Sequence, residues 1–397
     1  MRVLINTAST YSGGGLQVAR SVIEECATRS DHQFHIVVGK ALSQIYTPPV
    51  ADHISFSNLS YRPAEKLWRL QDPARELKAV EAEFKPDVVF TTSGPAYWRP
   101  KAPHLMGFNL PHYLYSDSPF FSRLISRAEK WKWRLRGRLI RRFARRDADA
   151  WVAQTDDVRR RLIQWLSRDS VFTVHNTISA SFLEHAAESL PMFHRREQQP
   201  FRVLVLSLYH RHKNLELIDD IIALYRKCGA GDLQFMLALP DADFKRLIRP
   251  ENRKFVENHG VQRPEQCPSL YSRANIVFLP TLLECFSANY VEAMCMSRPV
   301  VTTDLSFARE ICQGAALYFQ PLDAQDALQK ILRLRDNEQI YDELVAFGRA
   351  RARDFGTAAR RMDEYLALCE ELAEGRIGAA CAGSTRATGA RQLPVGR

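Results

Sequence analysis

Two glutamates eight residues apart, Glu284 and Glu292, stand where a short apolar run ends at Pro280 and a helical pattern begins near Ser287. A carboxylate at a strand end accepts hydrogen bonds from hydroxyls. The first amides of a helix are unpaired, and the positive end of its dipole favours an anion. A sugar joined to a nucleoside diphosphate needs both features. Glu292 falls about a turn and a half into the helix, within reach of a ribose. Taken alone, the pair is more simply a helix cap and a solvated surface charge.

Three other stretches could act beside it. Ser207-Leu-Tyr-His-Arg-His-Lys-Asn214 follows a strand-like run. Lys213, with Arg211 and His212 near it, could stabilise the charge of a departing diphosphate. Ser12-Gly13-Gly14-Gly15-Leu16 follows the first strand and opens a helix. Glycines let a backbone approach a phosphate or sugar closely, and Gly14 and Gly15 are the candidates. This run is not G-x-G-x-x-G, which counts against a dinucleotide-binding dehydrogenase. Gly107-Phe-Asn-Leu-Pro-His112 closes another strand and offers His112 and Asn109. Cys285 reads as a small packing residue, not a nucleophile.

The stretch Pro280-Thr-Leu-Leu-Glu-Cys-Phe-Ser287, four residues, then Glu292-Ala-Met-Cys295 resembles the signature of family 4 retaining glycosyltransferases. That signature is P-S-x-x-E-G-F-G, four residues, E-A-M-A. Ser297-Arg-Pro-Val-Val-Thr-Thr-Asp304 is similar to the G-x-P-V-V-x-x-D strand that follows it. The resemblance covers some 25 residues and implies the GT-B fold, a nucleoside-diphosphate-sugar donor and retention of anomeric configuration. It implies that Glu284 touches the donor sugar, that the amides of Phe286 and Ser287 hold sugar and phosphate, and that Glu292 binds ribose hydroxyls. Lys213-Asn214 matches the family's K-N pair, whereas the G-R pair before it is replaced by Ser207-Leu208. Arg211 is the nearest substitute grip on the diphosphate. The resemblance also places a glycine loop over the donor phosphates, a histidine such as His112 against the reacting sugar, and a P-N pair near the hinge at His175-Asn176. Cys285 and Ser287, where the family has small residues, narrow the expected sugar pocket. The backbone around Gly260-Val261 is expected near the base.

The elements that must position these residues read as an α/β chain. Strand-like runs lie at Arg2–Ala8, Phe34–Val38, Asp87–Thr92, His104–Phe108, Ala150–Gln154 and Val171–Val174. Helical stretches such as Leu16–Thr28 and Ala64–Phe84 separate them. The grammar restarts beyond His194-Arg-Arg-Glu-Gln-Gln-Pro200, with strands at Arg202–Ser207, Leu233–Leu239, Ile276–Pro280, Val300–Thr303 and Ala316–Phe319. Alternation of this kind predicts parallel sheets covered by helices, here two Rossmann-like doubly wound domains facing across a cleft. The expected units are an acceptor domain over 1–185, a donor domain over 200–356, a final helix over 357–374 that packs back across them, and a disordered tail over 375–397.

Composition narrows the class. The chain has 397 residues, 46% hydrophobic and 25% charged, enough for two cores. Eight scattered cysteines form no C-x-x-C pair, which argues against a metal site and for reduced thiols. The N-terminal apolar run is too short for a secretory signal, and no stretch approaches the ~18–20 apolar residues of a membrane span. A cytoplasmic protein, requiring no cofactor or metal, is expected.

Residues 121–146 carry eleven basic side chains against the single carboxylate Glu129, a surplus equal to the net charge of the whole chain, +10. A nucleic-acid binder would spread its charge more evenly. Phe121, Leu124, Ile125, Ala128, Trp131, Leu135, Leu139 and Phe143 recur at helical steps, so a basic amphipathic helix is expected. Its stripe suits either the first sheet or an anionic membrane surface. The expected reaction is metal-independent retaining transfer of a sugar to a glycan or lipid-linked acceptor, for cell-surface polysaccharide or lipopolysaccharide. The rivals are an epimerase on the same fold, or a basic membrane-binding module with a vestigial donor site.

Overall fold

The computed structural model describes residues 1–11, 13–68, 71–187, 200–228 and 232–377. It contains two wholly parallel sheets. The first comprises β1 (Arg2–Asn6), β2 (Gln33–Gly39), β3 (Ile54–Leu59), β4 (Val88–Thr91), β5 (His104–Gly107), β6 (Ala150–Ala153) and β7 (Val171–Thr173), in the order β3-β2-β1-β4-β5-β6-β7. The second comprises β8 (Phe201–Val205), β9 (Leu233–Leu237), β10 (Val256–Asn258), β11 (Ile276–Leu279), β12 (Val300–Thr303) and β13 (Ala316–Phe319), in the order β10-β9-β8-β11-β12-β13. Both follow the doubly wound order, and each reverses direction once, at β1/β4 and at β8/β11. Ligands of such sheets bind beyond the strand carboxyl ends at that reversal. The glycine run follows β1, Lys213 follows β8 and Glu284 follows β11, so the candidate residues gather at the two reversals.

The central strands are buried along their whole length, as in β4, β5, β6, β11 and β12, because helices cover both faces. The helix Ala358–Ala373 returns to the first sheet and places Met362, Tyr365 and Leu366 among Val3, Ile5 and Phe90. The Tyr365 and Phe90 rings lie 4.7 Å apart. Most of the polar stretch read as an interdomain boundary, and the tail beyond residue 377, lie outside the described residues.

Two edge strands, β3 and β10, escape the apolar-run reading. β3 is a half-exposed alternating run and β10 has only three residues. The single helix expected over Ala64–Phe84 is two helices, Pro63–Trp68 and Arg75–Phe84. Asp72 and Pro73 lie between them, and the Asp72 carboxylate accepts the Ala74 amide at 2.9 Å.

Gly107, at the end of β5, has a packing role. A Cβ there would fall well inside contact distance of the Thr92 carbonyl oxygen, and the Gly107 carbonyl already accepts the Gly94 amide at 2.7 Å. Gly107→Ala should therefore lower stability by about 1–3 kcal/mol, read as an earlier denaturant midpoint at unchanged slope. A midpoint equal to that of the parent would contradict this reading.

The basic segment is helical, and the side it buries is not the apolar stripe read from the sequence. Phe120–Leu124 forms a π-turn, Ile125 is extended, and the helix runs Arg127–Asp147 from a capping box between Ser126 and Glu129. Its buried side is Gly137, Ile140, Ala144 and Asp147. Of the apolar stripe left open between the first sheet and a membrane surface, Trp131 and Leu135 face outward, 60% and 39% exposed.

Candidate functional site

The loop after β8 ends in the short turn Arg211–Lys213, capped by Asn214 in the left-handed region at φ 54°. The loop after β11 is tied to it: the Leu282 amide donates to the His212 carbonyl at 2.8 Å. Across this junction the Lys213 ammonium donates to Glu284 Oε1 in a close ion pair. Thr281 Oγ1 donates to the same carboxylate oxygen at 3.4 Å. Ser287 then caps the helix Ala288–Cys295 in extended backbone, its own side chain making no bond to the helix's first amides. Lys213, Thr281, Glu284 and Ser287 line one recess at the β8/β11 reversal. The recess presents an ammonium, a carboxylate and a helix start, the groups that pair with a phosphate and with hydroxyls.

Glu292 is not a solvated charge. It is 7% exposed, and the fully buried Tyr271 hydroxyl donates to its Oε2 at 2.9 Å. Burial pushes its carboxyl up to about 7, against the opposing effect of the Tyr271 hydrogen bond. Cys285 is buried and its thiol is pushed well up by burial, as an inert packing thiol would be. Phe286 is half-buried, edge-on to Phe355 at 5.8 Å.

Arg211 stands apart from this group. Its guanidinium reaches across the cleft to Glu129 Oε1 at 3.0 Å and to the Leu124 carbonyl, at the start of the basic helix. The structure therefore does not bring it to the Lys213–Glu284 pair.

From the first domain His112 meets the same junction. Its ring lies parallel to Trp133 at 4.6 Å and edge-on to His212 at 4.9 Å, while His210 stacks on His212 at 5.5 Å. Burial, reinforced by His210 and Arg136, lowers the His112 imidazole to about 4, so it is neutral near pH 7. His210, Trp133 and Tyr271 are site neighbours that sequence reasoning did not single out. Only the His-x-His spacing at 210 and 212 carried a signal.

Behind His112 a cavity of about 310 Å³ opens beneath the glycine run, reaching Gly15, Asn109, Tyr97 and Arg136. Gly15 abuts its wall, where a Cβ would lie 3.3 Å from Thr10 Cγ2. Gly14 faces open space, and Gly13, at φ 58°, makes the turn into the helix. Asn109 Oδ1 accepts from Ser93 Oγ at 2.7 Å.

The domains are cross-tied beside the cleft. Ser118 Oγ donates to the Leu282 carbonyl at 2.6 Å. Glu310 accepts the amides of Asp156 and Asp157, each at 2.6 Å, capping a first-domain helix with a second-domain carboxylate. Among the described residues no helix is long and apolar enough to cross a membrane.

Residues 12–218, more than half of the chain, match the family described as Glycosyltransferase Family 4. The chain belongs to that family. Residues 200–337 of this family 4 glycosyltransferase also match the description Glycosyl transferases group 1. It is 24% identical over 214 residues to the O-antigen chain mannosyltransferase RfbU of Salmonella typhimurium. That match spans 52% of this chain and only 58% of the relative. Among solved structures it resembles sucrose-phosphate synthase from Thermosynechococcus elongatus, with a TM-score of 0.71 at 16% identity over 94% of this chain and 100% of that one. It also resembles Anabaena HepE in complex with UDP and glucose, with a TM-score of 0.65 at 16% identity over 92% and 99%. These likenesses establish the GT-B fold of the family 4 chain. Its His175 Nδ1 donates to the Gln154 carbonyl at 3.2 Å, and Asn176 Oδ1 accepts from Arg361 of the returning helix. Gly260 is left-handed at φ 70° with open space above it, and Val261 is 61% exposed.

Proposed function

We propose that this glycosyltransferase moves a sugar from a nucleoside diphosphate to a glycan or lipid-linked acceptor, with retention and without a divalent metal, in cell-surface polysaccharide or lipopolysaccharide synthesis. The observation that carries the reading is the junction of Lys213, Glu284 and the Ser287 helix start at the second sheet's reversal. Lys213 and the first helix amides meet the diphosphate, Glu284 a sugar hydroxyl and Glu292 the ribose. His112 faces the reacting sugar as a neutral imidazole. Arg211 joins the diphosphate only by leaving Glu129. On this assignment residues 1–185 take the acceptor, 200–356 hold the donor, and 357–374 join the two. The likeness to HepE, solved in complex with UDP and glucose, favours a uridine donor.

A thermal-shift screen against UDP-, GDP-, ADP- and dTDP-sugars tests the donor, because a ligand that binds only the native state raises its melting temperature. Labelled-donor product analysis tests the transfer. Epimerised free sugar with no extended acceptor would overturn it in favour of an epimerase.

We also place the enzyme on the inner face of an anionic membrane. The exposed Trp131 and Leu135, one turn apart, are ringed by Lys132, Arg134 and Arg138, the arrangement of an interfacial helix. Trp131→Ser with Leu135→Ser should cut sedimentation with phosphatidylglycerol vesicles by about tenfold, since apolar burial by both side chains is lost. Their exposure predicts an unchanged melting temperature. Equal sedimentation of parent and variant would refute the placement.

A further inference from the structure

The cavity behind His112 has a chemistry of its own. Tyr97, Tyr113, Trp133 and Tyr11 give it aromatic walls, and Ser9, Ser93 and Asn109 give it polar ones. Two guanidinium groups, Arg62 and Arg136, line it, and no carboxylate does. Arg62 lies over the Tyr11 ring at 3.9 Å, and among the described residues its one ion pair, with Glu65, is long and exposed, at 3.9 Å. Among the described residues no carboxylate pairs with Arg136, whose guanidinium carbon is 5.9 Å from the centre of the Trp133 ring.

The charge of Arg136 bears on three lining groups at once. It opposes the burial that pushes the phenols of Tyr97 and Tyr113 up, and it adds to the burial that holds His112 down. Arg62 acts on Tyr97 in the same sense. Two guanidinium groups beside aromatic rings, in a cavity no carboxylate lines, suit a ring-shaped polyol that carries an anion, since sugars rest on aromatic faces while a planar guanidinium pairs bidentately with phosphate or carboxylate.

We propose that this cavity binds the acceptor as an anionic sugar, its ring against the aromatic lining and its phosphate or carboxylate between Arg62 and Arg136. The proposal rests on the transferase reading above and adds the acceptor's charge to it. The basic helix then serves on two sides. Trp133, Arg136 and Ile140, on its inner edge, form one cavity wall while Trp131 and Leu135 face outward.

Titration calorimetry on the full chain with three probes decides it: neutral octyl glucoside, octyl glucuronide, and farnesyl diphosphoglucose. At least one anionic probe should bind about tenfold or more tighter than octyl glucoside, the worth of one good charge-assisted pair. The tighter of the two identifies the anion as carboxylate or diphosphate. Arg62→Gln with Arg136→Gln should bring both anionic probes to within about twofold of the neutral one. Lys213→Ala should leave the preference intact, which separates this cavity from the donor's diphosphate site.

Equal binding of all three probes, no binding at all, or a preference that survives the double arginine variant or disappears with Lys213→Ala would overturn the proposal. The donor thermal shift is read on the same samples. A normal donor response without anion preference sinks the acceptor proposal alone, whereas an absent donor response sinks the reading beneath it.

Discussion

Lys213→Ala should lower turnover by about 10²–10³-fold, the usual loss when one preorganised group facing a developing anion is removed. It should also destabilise the protein, because Glu284 is only 9% exposed and would lose its ion-pair partner. A buried carboxylate left without a partner costs about 1–3 kcal/mol, and water reaching the partly open recess keeps the cost toward the lower end. The two effects can be pulled apart. In Lys213→Ala with Glu284→Gln the orphan charge is gone, so the melting temperature should return most of the way to that of the parent. Turnover should stay as low as in Lys213→Ala or fall further, because the diphosphate still lacks its cation. Recovery of activity together with stability would mean that Lys213 serves only to neutralise Glu284, and the donor-site assignment would fail.

That pair also shows where sequence reasoning reached and where it stopped. Eleven of the thirteen strands announce themselves as short apolar runs, because central parallel strands are buried on both faces. The missing two are the edges β3 and β10, whose exposed residues dilute the pattern. The motif around Glu284 and the Lys213-Asn214 pair were legible because each is local, a strand end followed by a helix start. The contact between them joins positions 71 residues apart and becomes visible only once β8 and β11 lie side by side. Arg211 was legible as a cation near the diphosphate site, but its pairing with Glu129 depends on the opposite domain. The basic helix was legible in its place, but the sequence left open whether its apolar stripe packs inward or faces a membrane surface. Its choice of Gly137, Ile140 and Ala144 over Trp131 and Leu135 is set by the small residues that let it lie close to its neighbours, including Tyr113, whose ring would be 3.2 Å from a Cβ at position 137.

Glu292 carries the second large effect, and its sign follows from its burial. Its carboxyl ionises near 4.5 in the unfolded chain and at about 7 in the folded protein. Between those values the folded state holds the proton more tightly, so this group's contribution to stability is present below pH 4.5 and is lost as pH rises to about 7. Glu292→Gln keeps the shape and an acceptor for the Tyr271 hydroxyl while removing the charge. It should therefore match the parent near pH 4.5 and exceed it above pH 7, by at most about 3 kcal/mol. Nucleotide binding should run the other way. Ribose hydroxyls donate to a carboxylate better than to a carboxylic acid, so nucleotide affinity of the parent should fall by up to about tenfold for each pH unit below 7. His112, already neutral there because burial holds it near 4, adds little to that slope. In Glu292→Gln the affinity should be weaker at pH 8 and flat down to pH 5. A variant more stable at pH 8 whose nucleotide affinity still follows pH would show that the burial of Glu292 is structural and that another group titrates at the ribose.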